Sequence, residues 1–301
     1  MRPIVLPLVE RLGRFALNRS GTRSVWVDTP AGRLHAYDAT GTGAGPTIVL
    51  LHGIGASATP FGPMIARLRR SARRVVAVEL PGHGFSELHE DALTGEGLFN
   101  AVAAGLGKLV PEPMVLMGNS LGGAVSLHYA ASFPERVLGL VLVSPAGAHA
   151  TDDEWEALKS RFAVDTRASA REFLGLLYHR TPWFIPLLAH ELPASFARRA
   201  VRELLDSASN DHLPPPDSVM SLSMPVLFLW GKSERLLPPS HFAWFKKHLP
   251  PTAVVEEPEG FGHCPHLDSP GRLARRIATF AASLSRRSGG ASLPPDGNVA
   301  A

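Results

Sequence analysis

Residues 116–130, LMGNSLGGAVSLHYA, place Ser120 where an apolar run gives way to a helical pattern, with Gly118 before it and Gly122 and Gly123 after it. A turn this tight between a strand and a helix needs residues without a Cβ where backbones nearly touch, and glycine meets that need. The serine at its apex is held strained at a helix N-terminus with its hydroxyl presented outward, the arrangement of the G-x-S-x-G elbow. A serine hydroxyl is a weak nucleophile until a base takes its proton, and the base works best when an acid orients it. Two later loops can supply these partners. One follows VLFLWG and carries Glu234; the other follows AVVEEPEG and carries His263 and His266.

These loops need a scaffold that brings them together. Residues 114–117 form a short apolar strand before the serine, and Ala124, Leu127, Tyr129 and Ala130 share a helix that ends near Pro134, because proline cannot continue it. Residues 25–28 and 34–38 form a hairpin about Thr29-Pro30-Ala31-Gly32. Further apolar strands are expected at 47–51, 75–79, in VLGLVLVSPAG, at 225–231 and at 252–257, with helices at 62–70, 95–109, 240–249 and 267–285. Alternating helices and wholly apolar strands predict a mostly parallel eight-stranded sheet covered on both faces, an α/β fold. In such a sheet ligands bind beyond the C-terminal ends of the strands, where the three loops lie.

Residues 146–223 break the alternation. They hold no strand-like run but carry Trp155, Phe162, Phe173, Leu176, Leu177, Tyr178, Trp183 and Phe184 at helical spacings, so a helical cap inserted after the sixth strand is expected, with HLPPPDSV as a stiff linker back to the sheet. The division is then 1–21 as an N-terminal amphipathic helix, 22–145 and 224–285 as the core, 146–223 as the cap and 286–301 as a disordered tail. Ile4, Leu8, Leu12 and Phe15 share one face of the first helix, opposite Arg11, Arg14 and Asn18. Packing on the domain is the common use of such a face; the alternative is peripheral contact with a membrane, or covering an acyl site.

Composition excludes several functions. The formal net charge is +3 over 301 residues, and the arginines occur in scattered pairs, so nucleic-acid binding is not expected. The single cysteine, Cys264, rules out an intrachain disulfide and a cysteine-based zinc site. His263-Cys264-x-His266 is too short a spacing for zinc ligand pairs, so no metal and no cofactor are expected. No run reaches the roughly 20 apolar residues of a membrane span, and the N-terminus lacks the form of a signal peptide. A cytoplasmic location is expected.

LLHGIGAS, ELPGHGFS, GNSLGG, LFLWGKSERLLP and GFGHCPHLDSP, in this order, resemble an α/β-hydrolase-fold serine hydrolase over roughly residues 22–285. The resemblance implies Ser120 as nucleophile and His263 as base, with His266 a polar surface or capping residue. The acid falls on Glu234, where relatives mostly carry aspartate; its longer side chain implies a slightly displaced loop. Otherwise Glu234 is a surface residue paired with Lys232 or Arg235 and the acid lies elsewhere, although the loop after the sixth strand offers no carboxylate before Asp152. The oxyanion hole falls on the backbone N–H groups of Ile54 and Leu121, with His52 bracing its loop and His83 a turn residue. The nearest groups are esterases and lipases of the monoacylglycerol-lipase type, and meta-cleavage C–C hydrolases. The expected substrate is a small-molecule hydrophobic acyl ester. A C–C hydrolase would need an arginine facing Ser120, from Arg171, Arg180 or Arg198. A third possibility is a receptor that keeps the fold without catalysis.

Overall fold

A computed structural model describes residues 3–88 and 94–289, the side chains of 285–289 excepted. An N-terminal helix, α1 (Val5–Arg19), leads into β1 (Thr22–Thr29), β2 (Gly32–Thr40) and β3 (Thr47–Leu51). Then come α2 (Gly62–Leu68), β4 (Arg74–Val78), α3 (Gly95–Leu109), β5 (Met114–Ser120), α4 (Leu121–Ser132) and β6 (Val137–Pro145). After an all-helical stretch the chain returns through β7 (Val226–Leu229), α10 (Pro239–His248), β8 (Val254–Glu256), α11 (Pro265–Asp268) and α12 (Pro270–Gly289). The strands form one eight-stranded sheet in the order β1-β2-β4-β3-β5-β6-β7-β8, antiparallel at β1–β2 and β2–β4 and parallel elsewhere.

Alternation within the strands divides the core in two. In β3, Val49 and Leu51 turn to the face covered by α3 and α4, where Leu98, Val102 and Leu127 meet them. Ile48 and Leu50 turn to the opposite face, against Met64 and Leu68 of α2 and Leu273 and Ile277 of α12. Every residue of β3 and β5 is buried, as strands covered on both faces require. The order reverses around β3: the chain passes to β4 on one side and resumes at β5 on the other. This is the topological switch point, beyond which ligands bind in open α/β sheets.

Between β6 and β7 the chain forms α5 (Asp152–Ser160), α6 (Arg167–Leu177), α7 (Leu192–Phe196), α8 (Arg199–Asp206) and α9 (Pro216–Met220), with short 3-10 turns. The stretch expected as a stiff linker contains α9, because Pro216 occupies its first turn, where a missing N–H costs nothing. Phe162, Phe173 and Phe196 pack together inside this insertion, while Trp183 is 84% exposed. The closing helix runs to Gly289, beyond the expected start of a disordered tail at 286, and residues 290–301 lie outside the described residues.

The N-terminal helix differs most from expectation. It docks through Leu6, Glu10, Gly13 and Leu17, and the apolar face of Ile4, Leu8, Leu12 and Phe15 turns away from the domain. The Glu10 carboxylate accepts hydrogen bonds from the hydroxyls of Ser57 (2.6 Å) and Thr59 (2.7 Å). Leu17 packs against Gly62, and a Cβ at Gly13 would strike the Thr59 methyl group. Two hydrogen bonds to a carboxylate set the orientation that a purely hydrophobic contact would have reversed.

Where α4 crosses the end of β3, a Cβ on Gly122 would lie 2.4 Å from the Leu51 carbonyl oxygen and 2.6 Å from that of His52. Gly122→Ala is therefore expected to lower unfolding stability by about 3 kcal/mol; urea denaturation measures it, and a loss within error of zero would contradict this packing.

Candidate active site

Ser120 ends β5 with φ 55° and ψ −121°, a conformation that L-residues other than glycine rarely adopt. Strain of this kind costs about 1–3 kcal/mol and persists only where the surroundings over-determine it. Here they do. A Cβ on Gly118 would lie 2.0 Å from the Gly122 carbonyl oxygen, so α4 must begin within one residue of the strand's end. The loop after β3 passes over the serine: a Cβ on Gly53 would be 3.1 Å from Ser120 Cβ and 3.5 Å from its Oγ. Ile54 follows in that loop, and Leu121 is the first residue of α4, whose leading N–H groups have no partner within the helix.

His263 Nδ1 donates to Glu234 Oε2 at 2.8 Å, and both side chains are almost fully buried. That bond fixes the tautomer that leaves Nε2 to accept a proton. The other oxygen, Glu234 Oε1, accepts the backbone N–H groups of Leu236 (2.8 Å) and Leu237 (3.0 Å). Glu234 thus sits inward, while its proposed surface partners turn elsewhere: Lys232 pairs with Glu259, and Arg235 donates to the Tyr178 carbonyl. Burial pushes the Glu234 carboxyl up. The charge and hydrogen bond of His263, the Leu237 N–H and the neighbouring Ser144 hydroxyl outweigh it and hold the pKa below the ordinary value.

Ser120 and His263 line one cavity of about 680 Å3, together with Ile54 and Asn119. A second, apolar chamber of about 130 Å3 also reaches Ser120 and is lined by Leu98, Phe99, Val125, Trp155 and Leu158. The serine stands where the two meet. Arg198 lies on the wall of the larger chamber, with Arg11 and Glu10 of α1.

Sequence reasoning missed Asn119. Its Nδ2 donates to the carbonyls of Val143 and His263, both at 2.9 Å, so the residue before the serine ties the histidine loop to β6. Nothing in the sequence marks it except an amide beside the serine. Asp268 was also missed; it accepts the N–H groups of Gly262 (2.8 Å) and His179 (2.9 Å), fixing the loop ahead of His263 and binding it to the insertion. Cys264 is half-buried on the wall of the larger cavity, its Sγ 3.7 Å from Asn119 Oδ1, and desolvation pushes its thiol pKa up. His266 is not a surface residue: it is 5% exposed and packs on Phe61 with ring centroids 4.8 Å apart. His52 accepts from the Leu80 N–H through Nε2 and donates to the Gly53 carbonyl through Nδ1. His83 donates to the Pro81 carbonyl within its turn.

A strained serine at a strand-to-helix turn, beside a buried Glu–His pair at the switch point of a parallel sheet, defines a hydrolase of the α/β-hydrolase fold. Residues 48–276 match the family described as the alpha/beta hydrolase family, and the chain belongs to it. Among its relatives, a pimeloyl-[acyl-carrier protein] methyl ester esterase of Vibrio parahaemolyticus is 29% identical over 255 residues, 79% of this chain and 95% of the relative. The protein of that name from Xylella fastidiosa is 26% identical over 268 residues, 81% and 98% of the two chains. Two solved structures share the fold. A bacterial membrane phospholipase A gives a TM-score of 0.77 at 23% identity over 93% of this chain and 91% of that one. Carboxylesterase CesB from Bacillus subtilis gives 0.74 at 21% identity over 93% and 99%.

Burial, against the opposing hydrogen bonds to the Gly53 and Pro81 carbonyls at His52 and His83, lowers the pKa of His52 to about 3, of His83 to about 4 and of His266 to about 3. A histidine held neutral in the fold takes up its proton only on unfolding, so stability falls as pH drops below about 6.5. His266→Leu should make the fall between about pH 5.5 and 4 shallower by about 1.4 kcal/mol per pH unit. Urea midpoints across that range measure it; parallel curves for parent and variant would refute the buried neutral state.

Proposed function

We propose that this protein is a serine carboxylesterase that hydrolyses hydrophobic acyl esters through an acyl-enzyme on Ser120. The observation that carries the reading is the buried Glu234–His263 hydrogen bond opening into the cavity that holds the strained serine. His263 Nε2 takes the Ser120 proton as Oγ attacks the ester carbonyl, and Glu234 holds the imidazole and stabilises its cation. The oxyanion is held by the N–H groups of Ile54 and Leu121, the latter aided by the positive end of α4. Collapse of the intermediate gives the alcohol the proton from His263. Water then repeats the sequence on the acyl-enzyme and releases the acid. The esterase names of the relatives support the same class of reaction.

The apolar chamber takes the acyl chain. Its volume of about 130 Å3 is close to that of cavities that accept a benzene-sized group, which suits short to medium chains. The larger chamber takes the alcohol and forms the entrance. Arg198 on its wall favours one second reading, cleavage of a C–C bond beside a carbonyl in a substrate carrying a carboxylate, by the same nucleophile and base.

Hydrolysis of p-nitrophenyl esters from acetate to palmitate tests the proposal, with activity expected to peak at about four to six acyl carbons. Ser120→Ala should lower kcat by about 100,000-fold and abolish fluorophosphonate labelling, and Glu234→Gln should lower kcat by about 10,000-fold. An unlabelled parent that turns over no ester would overturn the reading. Turnover of a vinylogous diketo acid without ester hydrolysis would move the C–C reading ahead.

A further inference from the structure

The outward face of α1 is apolar. Ile4 is 71% exposed, Leu8 52%, Leu12 58% and Phe15 65%, with Val5 and Val9 also exposed beside them. No described residue covers this face. The orientation is fixed: Glu10 is bound inward to Ser57 and Thr59, and the N–H groups of Ile4, Val5 and Leu6 all donate to the buried Glu191 carboxylate at 2.6–2.8 Å. Glu191 belongs to the helical insertion, and the segment leading to it exposes Trp183 (84%), Phe184 and Leu187.

Charge selects the occupant. Glu10 is the only acid in α1 and its carboxylate faces the domain, whereas Arg11 and Arg19 are exposed and no ion pair holds either of them among the described residues. A helix with large exposed apolar side chains, exposed arginines and no exposed acid has the composition that settles in the headgroup region of an anionic bilayer. Position agrees with charge. Pro3, Leu6, Pro7 and Arg11 of this same segment line the large chamber that reaches Ser120, so a surface bound to α1 would lie beside the chamber's mouth.

We infer that α1, with the Trp183–Leu187 segment, docks the protein peripherally on an anionic phospholipid surface and draws ester substrates from it. Docking stands on the exposed face alone; delivery of substrate rests on the proposed esterase activity.

The test is flotation of the full chain with vesicles of phosphatidylcholine, alone or mixed with phosphatidylglycerol. The parent and Ser120→Ala should float with the mixed vesicles, and salt should weaken binding. The double variant Leu8→Glu/Leu12→Glu should lose at least about tenfold in binding while hydrolysing a soluble p-nitrophenyl ester at the parent's rate. Both substituted positions are exposed, so folding survives the change, and circular dichroism checks it. A parent that stays with neither vesicle, or a double variant that floats as the parent does, would overturn the inference. So would light scattering that finds a dimer which the double variant converts to monomer, since a second copy would then cover the face. Vesicle binding by a parent that fluorophosphonate does not label and that hydrolyses no ester, soluble or vesicle-bound, would sink the esterase reading and leave docking intact.

Discussion

Helix α4 lies so close to the ends of β3 and β5 that no side chain fits between them, and the chemistry of the site depends on that approach. With Gly118 against Gly122, and Gly122 against the carbonyls of Leu51 and His52, the chain has one residue in which to turn from strand to helix. Ser120 absorbs the turn in its own backbone. A more relaxed connection would remove the strain and also move the hydroxyl away from the helix N-terminus. The strain is sustained by the buried apolar layers on both faces of the sheet, which fix the ends of β3 and β5.

The other chemical groups reach the serine on loops with little freedom of their own. Asn119 fastens the His263 carbonyl to the elbow, Asp268 fastens Gly262 to the insertion, and two N–H groups grip Glu234 from behind. The Asn119–His263 and Asp268–His179 bonds join segments far apart in sequence, while the bonds to Glu234 and Gly262 stiffen their loops locally. The third segment, after β3, is held by His52 between the Leu80 N–H and the Gly53 carbonyl. Positioning is thus spread over polar side chains that take no part in the proposed proton transfers.

What the sequence made legible follows from locality. The central strands are apolar runs buried on both faces, so length and composition identified them, and the elbow, the Glu234 loop and the His263 loop each carry their signal within a few residues. Asn119 was not legible because its two carbonyl partners come from remote strands and loops, and an amide before a serine has many uses. His266 was misjudged as polar surface because its ring faces Phe61, a contact that spacing cannot show. For α1, periodicity named the residues that share a face. It could not say which way the face turns, because the two hydroxyls that bind Glu10 lie some fifty residues on. The insertion was legible as helical, but its helix boundaries were not, since short helices and 3-10 turns follow one another there with little period to detect.

The surroundings of Cys264 bear on how the protein can be handled. The thiolate is the form that alkylating agents and peroxide attack, and burial beside the Glu234 and Asp268 carboxylates disfavours it. The chain's single sulfhydryl is therefore held as the less reactive thiol while the fold is intact, even though it lines the larger cavity and adjoins the imidazole. A cysteine introduced on the exposed surface would react with a maleimide dye or spin label ahead of Cys264, whose own modification would speed up on unfolding.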